Sequence, residues 1–185
     1  VTTLTKGVEF LFKKNNISYF KGLGSLKSKN LISILDEKNK QTSIESKNII
    51  LCTGSEPTSL PGIKFDEHKI VSSTGALSLS KVPSKMVVVG GGYIGLEMGS
   101  VWARLGSEVH VIEYLDHITP GMDKEISNEF MKILKKQGIK FSLQTKVNSI
   151  KTTNNSVIVN VEDLNKIKKS YECDVVLISV GRKPY

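Results

Sequence analysis

Four apolar residues in succession, Met86-Val87-Val88-Val89, run into Gly90-Gly91-Gly92 and continue as Tyr93-Ile94-Gly95-Leu96-Glu97-Met98-Gly99. An unbroken apolar run closed by glycine is the pattern of a strand buried on both faces, and the residues after it have the composition of a helix start. A second strand is expected at Glu108 to Ile112, ending on the acidic Glu113. Asp123 to Gln137 sets Ile126, Phe130, Ile133 and Leu134 at helical spacing between an acidic start and terminal lysines, which predicts a helix with those four residues in the core. Leu31 to Leu35 and Val157 to Val161 read as short alternating strands. Ile49-Ile50-Leu51 and Val176-Leu177-Ile178 read as buried strands leading to Gly54 and Gly181.

Compared with itself, the chain repeats. Phe10-Leu11-Phe12-Lys13-Lys14-Asn15-Asn16-Ile17 resembles Ile133-Leu134-Lys135-Lys136-Gln137-Gly138-Ile139 at an offset of 122 residues, and Gly54-x-x-Pro57 resembles Gly181-x-x-Pro184 at an offset of 127. Two copies of one unit are therefore expected, each a helix and strand, then alternating segments, then a buried strand ending in glycine. The second copy opens with the glycine-rich turn, whereas the first opens at its helix. The expectation is that the first copy has lost its head and that the chain is a fragment, with Lys81-Val82-Pro83-Ser84-Lys85 as the linker between copies.

The candidate chemistry lies in the second copy. Gly90-x-Gly92-x-x-Gly95 follows a predicted strand and opens a predicted helix, and Glu113 stands 23 positions after Gly90. In that context the glycines permit a tight turn, a close backbone approach to a pyrophosphate and close packing of helix on strand. The free N–H groups and positive dipole end of the helix then form an anion site. Glu113 is expected to accept hydrogen bonds from both hydroxyls of an adenosine ribose, which selects NAD over NADP. Like charges about 4 Å apart repel by up to about 4 kcal/mol at an effective dielectric near 20. Screening reduces this to roughly 2 kcal/mol, about thirtyfold. No arginine follows Glu113 in Tyr114-Leu115-Asp116-His117-Ile118 to hold a 2′-phosphate.

Composition changes this picture little. The net charge of +8 comes from scattered lysines without interleaved aromatic residues, so nucleic-acid binding is not expected. Lys13-Lys14, Lys135-Lys136 and Lys168-Lys169 read as solvated helix ends or turns, and a docking surface for an acidic protein is the alternative use of the charge. No apolar run is long enough to suggest a membrane span. Cys52 and Cys173 are expected to be unreactive packing residues at buried strands. His68, His110 and His117 form no catalytic pattern, and no metal-ligand set is expected.

These motifs resemble the flavoprotein disulfide reductases with two dinucleotide-binding domains. The likeness rests on Leu4-Thr5-Lys6-Gly7-Val8-Glu9-Phe10-Leu11, Lys21-Gly22-Leu23-Gly24, Ile49-Ile50-Leu51-Cys52-Thr53-Gly54-Ser55-Glu56-Pro57, Ser73-Thr74-Gly75-Ala76-Leu77, the Gly90 to Gly99 block, Met122-Asp123-Lys124-Glu125-Ile126 and Val180-Gly181-Arg182-Lys183-Pro184-Tyr185. It implies an α/β chain in which residues 81–185 form a Rossmann-like NAD-binding domain, a parallel sheet with helices plus an antiparallel three-stranded meander. Residues 1–80 would be the C-terminal part of a similar FAD-binding segment. Gly24, Thr53, Gly54 and Ser55 match positions lining FAD. Gly90, Gly91, Gly92, Tyr93, Ile94, Gly95, Leu96, Glu97, Glu113, Val147 and Gly181 match positions around NAD, with Ile94 and Glu97 toward the nicotinamide. The branch acting on dihydrolipoamide fits best, with glutathione or mercuric reductases and NADH oxidases as alternatives. A stand-alone NAD-binding or docking module without turnover is the other alternative. The resemblance also implies a homodimer, lipoyl-bearing subunits of 2-oxoacid dehydrogenase or glycine cleavage complexes as partners, and a cytoplasmic or mitochondrial-matrix location. The redox cysteine pair and acid–base histidine of such enzymes match no residues here, so no catalytic residue is assigned and this chain alone is expected to be inactive.

Overall fold

The computed structural model describes residues 2–185 and divides into two compact units, one ending at Cys52 and the other spanning Thr53–Tyr185. The first unit contains helix α1 (Thr2–Lys14) and strands β1 (Leu23–Ser28), β2 (Leu31–Leu35) and β3 (Gln41–Glu45), which form an antiparallel sheet in the order β1-β2-β3. Its turns are held by side chains: Asp36 Oδ1 accepts the N–H groups of Lys38 and Lys40, and the Asn30 amide donates to the carbonyls of Ser46 and Lys47. No residue of α1 is buried within the chain.

The second unit contains β4 (Ser55–Pro57), β5 (Ile70–Val71), α2 (Ser73–Ala76), β6 (Lys85–Val89), α3 (Tyr93–Arg104), β7 (Glu108–Ile112), α4 (Lys124–Lys136) and β8 (Lys140–Ser142). These are followed by β9 (Thr145–Thr152), β10 (Val157–Asp163), β11 (Lys168–Cys173), β12 (Val175–Ile178) and β13 (Arg182–Pro184). Five strands make a wholly parallel sheet in the order β5-β12-β6-β7-β8, while β9, β10 and β11 form an antiparallel meander and β4 pairs with β13. Because side chains alternate along a strand, Met86 and Val88 enter one core with Leu96, Trp102 and Leu134 from the helices. Val87 and Val89 enter a second core with Val157, Val159 and Val161 from the meander. The apolar run Met86–Val89 is continuous because both faces of its strand are covered.

The helix and meander of each copy recur as the repeat predicts, but the buried strand does not. Ile49–Leu51 forms no strand, and Ile50 and Leu51 are exposed. Ile17–Phe20, the counterpart of β8, is also unpaired. A parallel strand needs neighbours: β12 lies between β5 and β6, whereas the first unit offers only its meander. Cys52, expected to be buried, is exposed for the same reason, while Cys173 is buried. Helix α4 occupies its expected place with Asp123 as cap, but it buries Ser127 and Leu134, and Ile126 and Ile133 are exposed. Lys168-Lys169 begins strand β11 rather than a turn.

Burial among apolar neighbours raises the Cys173 thiol to about 11. Iodoacetamide at neutral pH should therefore alkylate Cys52 and spare Cys173 until the chain is unfolded, as read by intact mass. Early modification of Cys173 would show that its strand opens readily.

Candidate dinucleotide-binding site

Strand β6 is the switch point of the sheet: the chain proceeds through β7 and β8 on one side, and β12 lies on the other. In open α/β sheets the crevice at the carboxyl ends of such strands receives ligands. Here it is a cavity of about 1010 Å³. Its walls include Val89 at the end of β6, Gly90 and Gly92 after it, Tyr93 and Ile94 from α3, Ile112 at the end of β7, Glu113 after it, Val147 from β9 and Gly181 after β12.

The turn is shaped for close approach. Gly90 has φ +107°, and a Cβ there would lie 2.5 Å from the Ser179 carbonyl oxygen. A Cβ on Gly95 would collide with the Gly90 carbonyl and the Ser179 hydroxyl, so glycine lets α3 lie against the end of β6. Gly92 is the N-cap of α3 and supplies no side-chain hydrogen bond, which leaves first-turn N–H groups available at the cavity. Helix α4 differs: Asp123 Oδ1 accepts the N–H groups of Glu125 and Ile126. Glu113 is 8% exposed, and its two carboxylate oxygens accept the N–H groups of Gly91 at 2.5 Å and Leu115 at 2.8 Å. Each oxygen retains capacity to accept a ribose hydroxyl.

Of the sequence-predicted residues, Gly90, Gly92, Tyr93, Ile94, Glu113, Val147 and Gly181 line this cavity. Gly91 is buried against Glu113, and Gly95 is buried at the helix–strand contact. Leu96 is fully buried in the helix-side core and Glu97 is exposed on α3; neither lines the cavity. Leu96, two positions on from Ile94, turns to the far side of α3 and enters the core, whereas Glu97 shares the Ile94 face one turn further along the helix and lies beyond the cavity. Thr53, Gly54 and Ser55 are exposed in the second unit, where Ser55 Oγ accepts a hydrogen bond from Arg182 Nε at 2.7 Å; Gly24 is exposed in the first unit. None of these four lines the cavity. Sequence reasoning missed Leu60, Pro61, Ile63, Thr119, Met122, Lys146 and Ser179, all of which do. Two of these segments carried a local signal, a Pro-Gly turn: Pro61-Gly62 between Leu60 and Ile63, and Pro120-Gly121 after Thr119.

Below the Glu113 loop, His110 Nε2 and Ser142 Oγ are 2.8 Å apart, Ser142 Oγ and the Tyr171 hydroxyl are 2.9 Å apart, and the Ser142 carbonyl accepts the Glu113 N–H. This network ties the parallel sheet to the meander. Burial, with the positive charge of Lys140, lowers the His110 pKa from its ordinary 6.5. The unfolded chain then binds a proton before the folded one does, so folding stability falls as pH drops below 6.5 toward the folded value. A thermal melt series between about pH 5 and 8 should show this acid loss, and His110→Gln should flatten it. Equal slopes in both proteins would mean that His110 is not the responsible group.

The model of the pyridine nucleotide-disulphide oxidoreductase family matches residues 1–185. The chain is 54% identical to a dihydrolipoamide dehydrogenase of Chaetomium thermophilum over 187 aligned residues, covering 100% of this chain and 37% of that protein. It is 50% identical to the mitochondrial dihydrolipoyl dehydrogenase of Pisum sativum, with the same coverage, and 50% identical to a leghemoglobin reductase of Glycine max, covering 100% of this chain and 36% of the relative. Thus it spans a little over a third of the length of the curated relatives it matches. Dihydrolipoamide dehydrogenases use FAD and NAD. In fold, the chain superposes on LpdA of Mycobacterium tuberculosis with a TM-score of 0.86 at 20% identity, covering 99% of this chain and 40% of LpdA. The chain belongs to the pyridine nucleotide-disulphide oxidoreductase family.

Proposed function

We propose that this chain supplies the NAD-binding domain, residues 81–185, and the end of the FAD-binding segment, within residues 1–80, of a dihydrolipoamide dehydrogenase. One observation carries the nucleotide assignment: the uncapped start of α3, the glycine turn and the Glu113 carboxylate meet in a single cavity at the sheet's switch point. The cradle at Gly90 that any Cβ would fill, and the large cavity beside it, fit an extended dinucleotide.

NAD supplies a nicotinamide that accepts hydride. The chain's own groups bind and orient. First-turn N–H groups of α3 meet the pyrophosphate, Glu113 receives the adenosine ribose, and Val147 and Gly181 border the two ends of the cofactor. The apolar walls formed by Ile63, Ile112 and Leu115 exclude water from it. No proton transfer is assigned to this chain. The family resemblance assigns Gly24 of the first unit, and Thr53, Gly54 and Ser55 of the second, to FAD; none of them lines the cavity.

Oxidation of dihydrolipoamide and mitochondrial residence are supported by the names of the relatives and by their identity to this chain; action as a homodimer on lipoyl-bearing subunits of 2-oxoacid dehydrogenase or glycine cleavage complexes follows from that reading alone. Leghemoglobin reductases match nearly as well, which keeps a second electron acceptor open. The test has two parts. Calorimetric titration should show NADH binding at least about tenfold tighter than NADPH. The full-length protein should oxidise dihydrolipoamide with NAD faster than it reduces leghemoglobin; the reverse order would replace the substrate assignment and leave the nucleotide site intact.

A further inference from the structure

Thr119 adopts φ +50°, a left-handed conformation rare for a β-branched residue, and it is only 7% exposed. Three contacts hold it there. Its N–H donates to the Gly91 carbonyl at 2.8 Å, its hydroxyl donates to the Ile118 carbonyl at 2.8 Å, and the same hydroxyl lies 2.7 Å from Ser127 Oγ. Ser127 is 1% exposed on α4. The turn is closed by the Met122 N–H donating to the Thr119 carbonyl, with Gly121 at φ +91°.

The Gly91 peptides are thus gripped from both ends, the N–H by Glu113 and the carbonyl by Thr119. The Gly91–Gly92 peptide bond is trans, so the Gly92 N–H points opposite to the Gly91 carbonyl, away from Thr119. We propose that Thr119, latched to Ser127, is a positioning residue that fixes the Gly91–Gly92 peptide plane and thereby aims the Gly92 N–H at the pyrophosphate of the bound dinucleotide. This proposal rests on the dinucleotide reading of the cavity. The strained backbone is retained because α4 holds it, which couples the start of that helix to the phosphate turn.

The test uses the intact protein carrying Ser127→Ala, Thr119→Val and Thr119→Ser. NADH is titrated directly, and ADP and adenosine compete against it. Loss of the latch should weaken NADH and ADP by about tenfold in Ser127→Ala and Thr119→Val and leave adenosine, which has no phosphate, unchanged. Thr119→Ser, which keeps the hydroxyl, should recover most of the loss. A merely structural role would weaken all three ligands together, or lower the melting temperature with no change in the ADP-to-adenosine ratio, and either result overturns the proposal. Should Thr119→Val fail to fold, Ser127→Ala decides alone, because it leaves the Thr119 hydroxyl bonded to the Ile118 carbonyl. If the unaltered protein binds NADH and the variants match it, the proposal falls and the site reading stands. If the unaltered protein binds neither NADH nor ADP, both fall.

Discussion

Gly95→Ala is expected to remove most NADH binding and to lower the melting temperature of the unit that contains α3. The new Cβ would collide with the Gly90 carbonyl and the Ser179 hydroxyl and come within 3.0 Å of Val88 Cγ1. The hydroxyl can rotate away, but the Gly90 carbonyl belongs to the turn and Val88 is itself fully buried. Relief therefore requires α3 to lift from β6. Overpacking of this kind costs about 1–3 kcal/mol, or about 5 °C in melting temperature for a chain of this size. The same displacement carries the first-turn N–H groups off their aim, so NADH affinity should fall by at least about tenfold. Thermal melting and calorimetry on one preparation read both effects. Unchanged affinity together with a lowered melting temperature would show that the pyrophosphate does not sit at this helix start.

Glu113→Ala should weaken NADH binding by more than it weakens NADPH binding. The buried carboxylate accepts the Gly91 and Leu115 N–H groups, so its removal leaves two donors to find water, at about 1–3 kcal/mol each when they fail. That part of the loss reaches NADH and NADPH alike, because both use the same glycine turn. The ribose term differs between them. Loss of the negative charge removes roughly 2 kcal/mol of discrimination against a 2′-phosphate, so the ratio of NADH to NADPH affinity should fall by about thirtyfold. Equal losses for the two ligands would leave Glu113 as a brace for the turn and remove its role at the ribose. Lys146 lines the same cavity and gives a 2′-phosphate a cation to meet once the glutamate is gone.

Much of this site was legible in one dimension because its parts are local. The run Met86–Val89, the three spaced glycines and the acid 23 positions after Gly90 lie within one strand–helix–strand passage, and the structure builds that passage as β6, α3 and β7. What escaped depended on partners distant in sequence. Of Ile126, Phe130, Ile133 and Leu134, only Phe130 and Leu134 pack on the core, because helical spacing shows which residues share a face but not how wide a face a neighbour covers; α4 turns the line through Ser127, Phe130, Met131 and Leu134 inward and leaves Ile126 and Ile133 exposed. Ile49–Leu51 has the composition of a buried strand, yet a strand is buried by others beside it.

The sequence by itself determined the strand–helix–strand passage from Met86 to Ile112, the repeat of a helix followed by alternating segments, the glycine turn and the acidic residue just after β7. Each follows from side-chain volume, backbone freedom or period over a few neighbouring positions. Only the tertiary structure decided that Leu60 to Ile63 and Ser179 close the cavity, that both Glu113 oxygens are held by backbone N–H groups, and that a left-handed Thr119 grips the Gly91 carbonyl. Those are contacts between segments that no local pattern brings together, and they form because the parallel sheet gathers the carboxyl ends of β6, β7 and β12 at one edge.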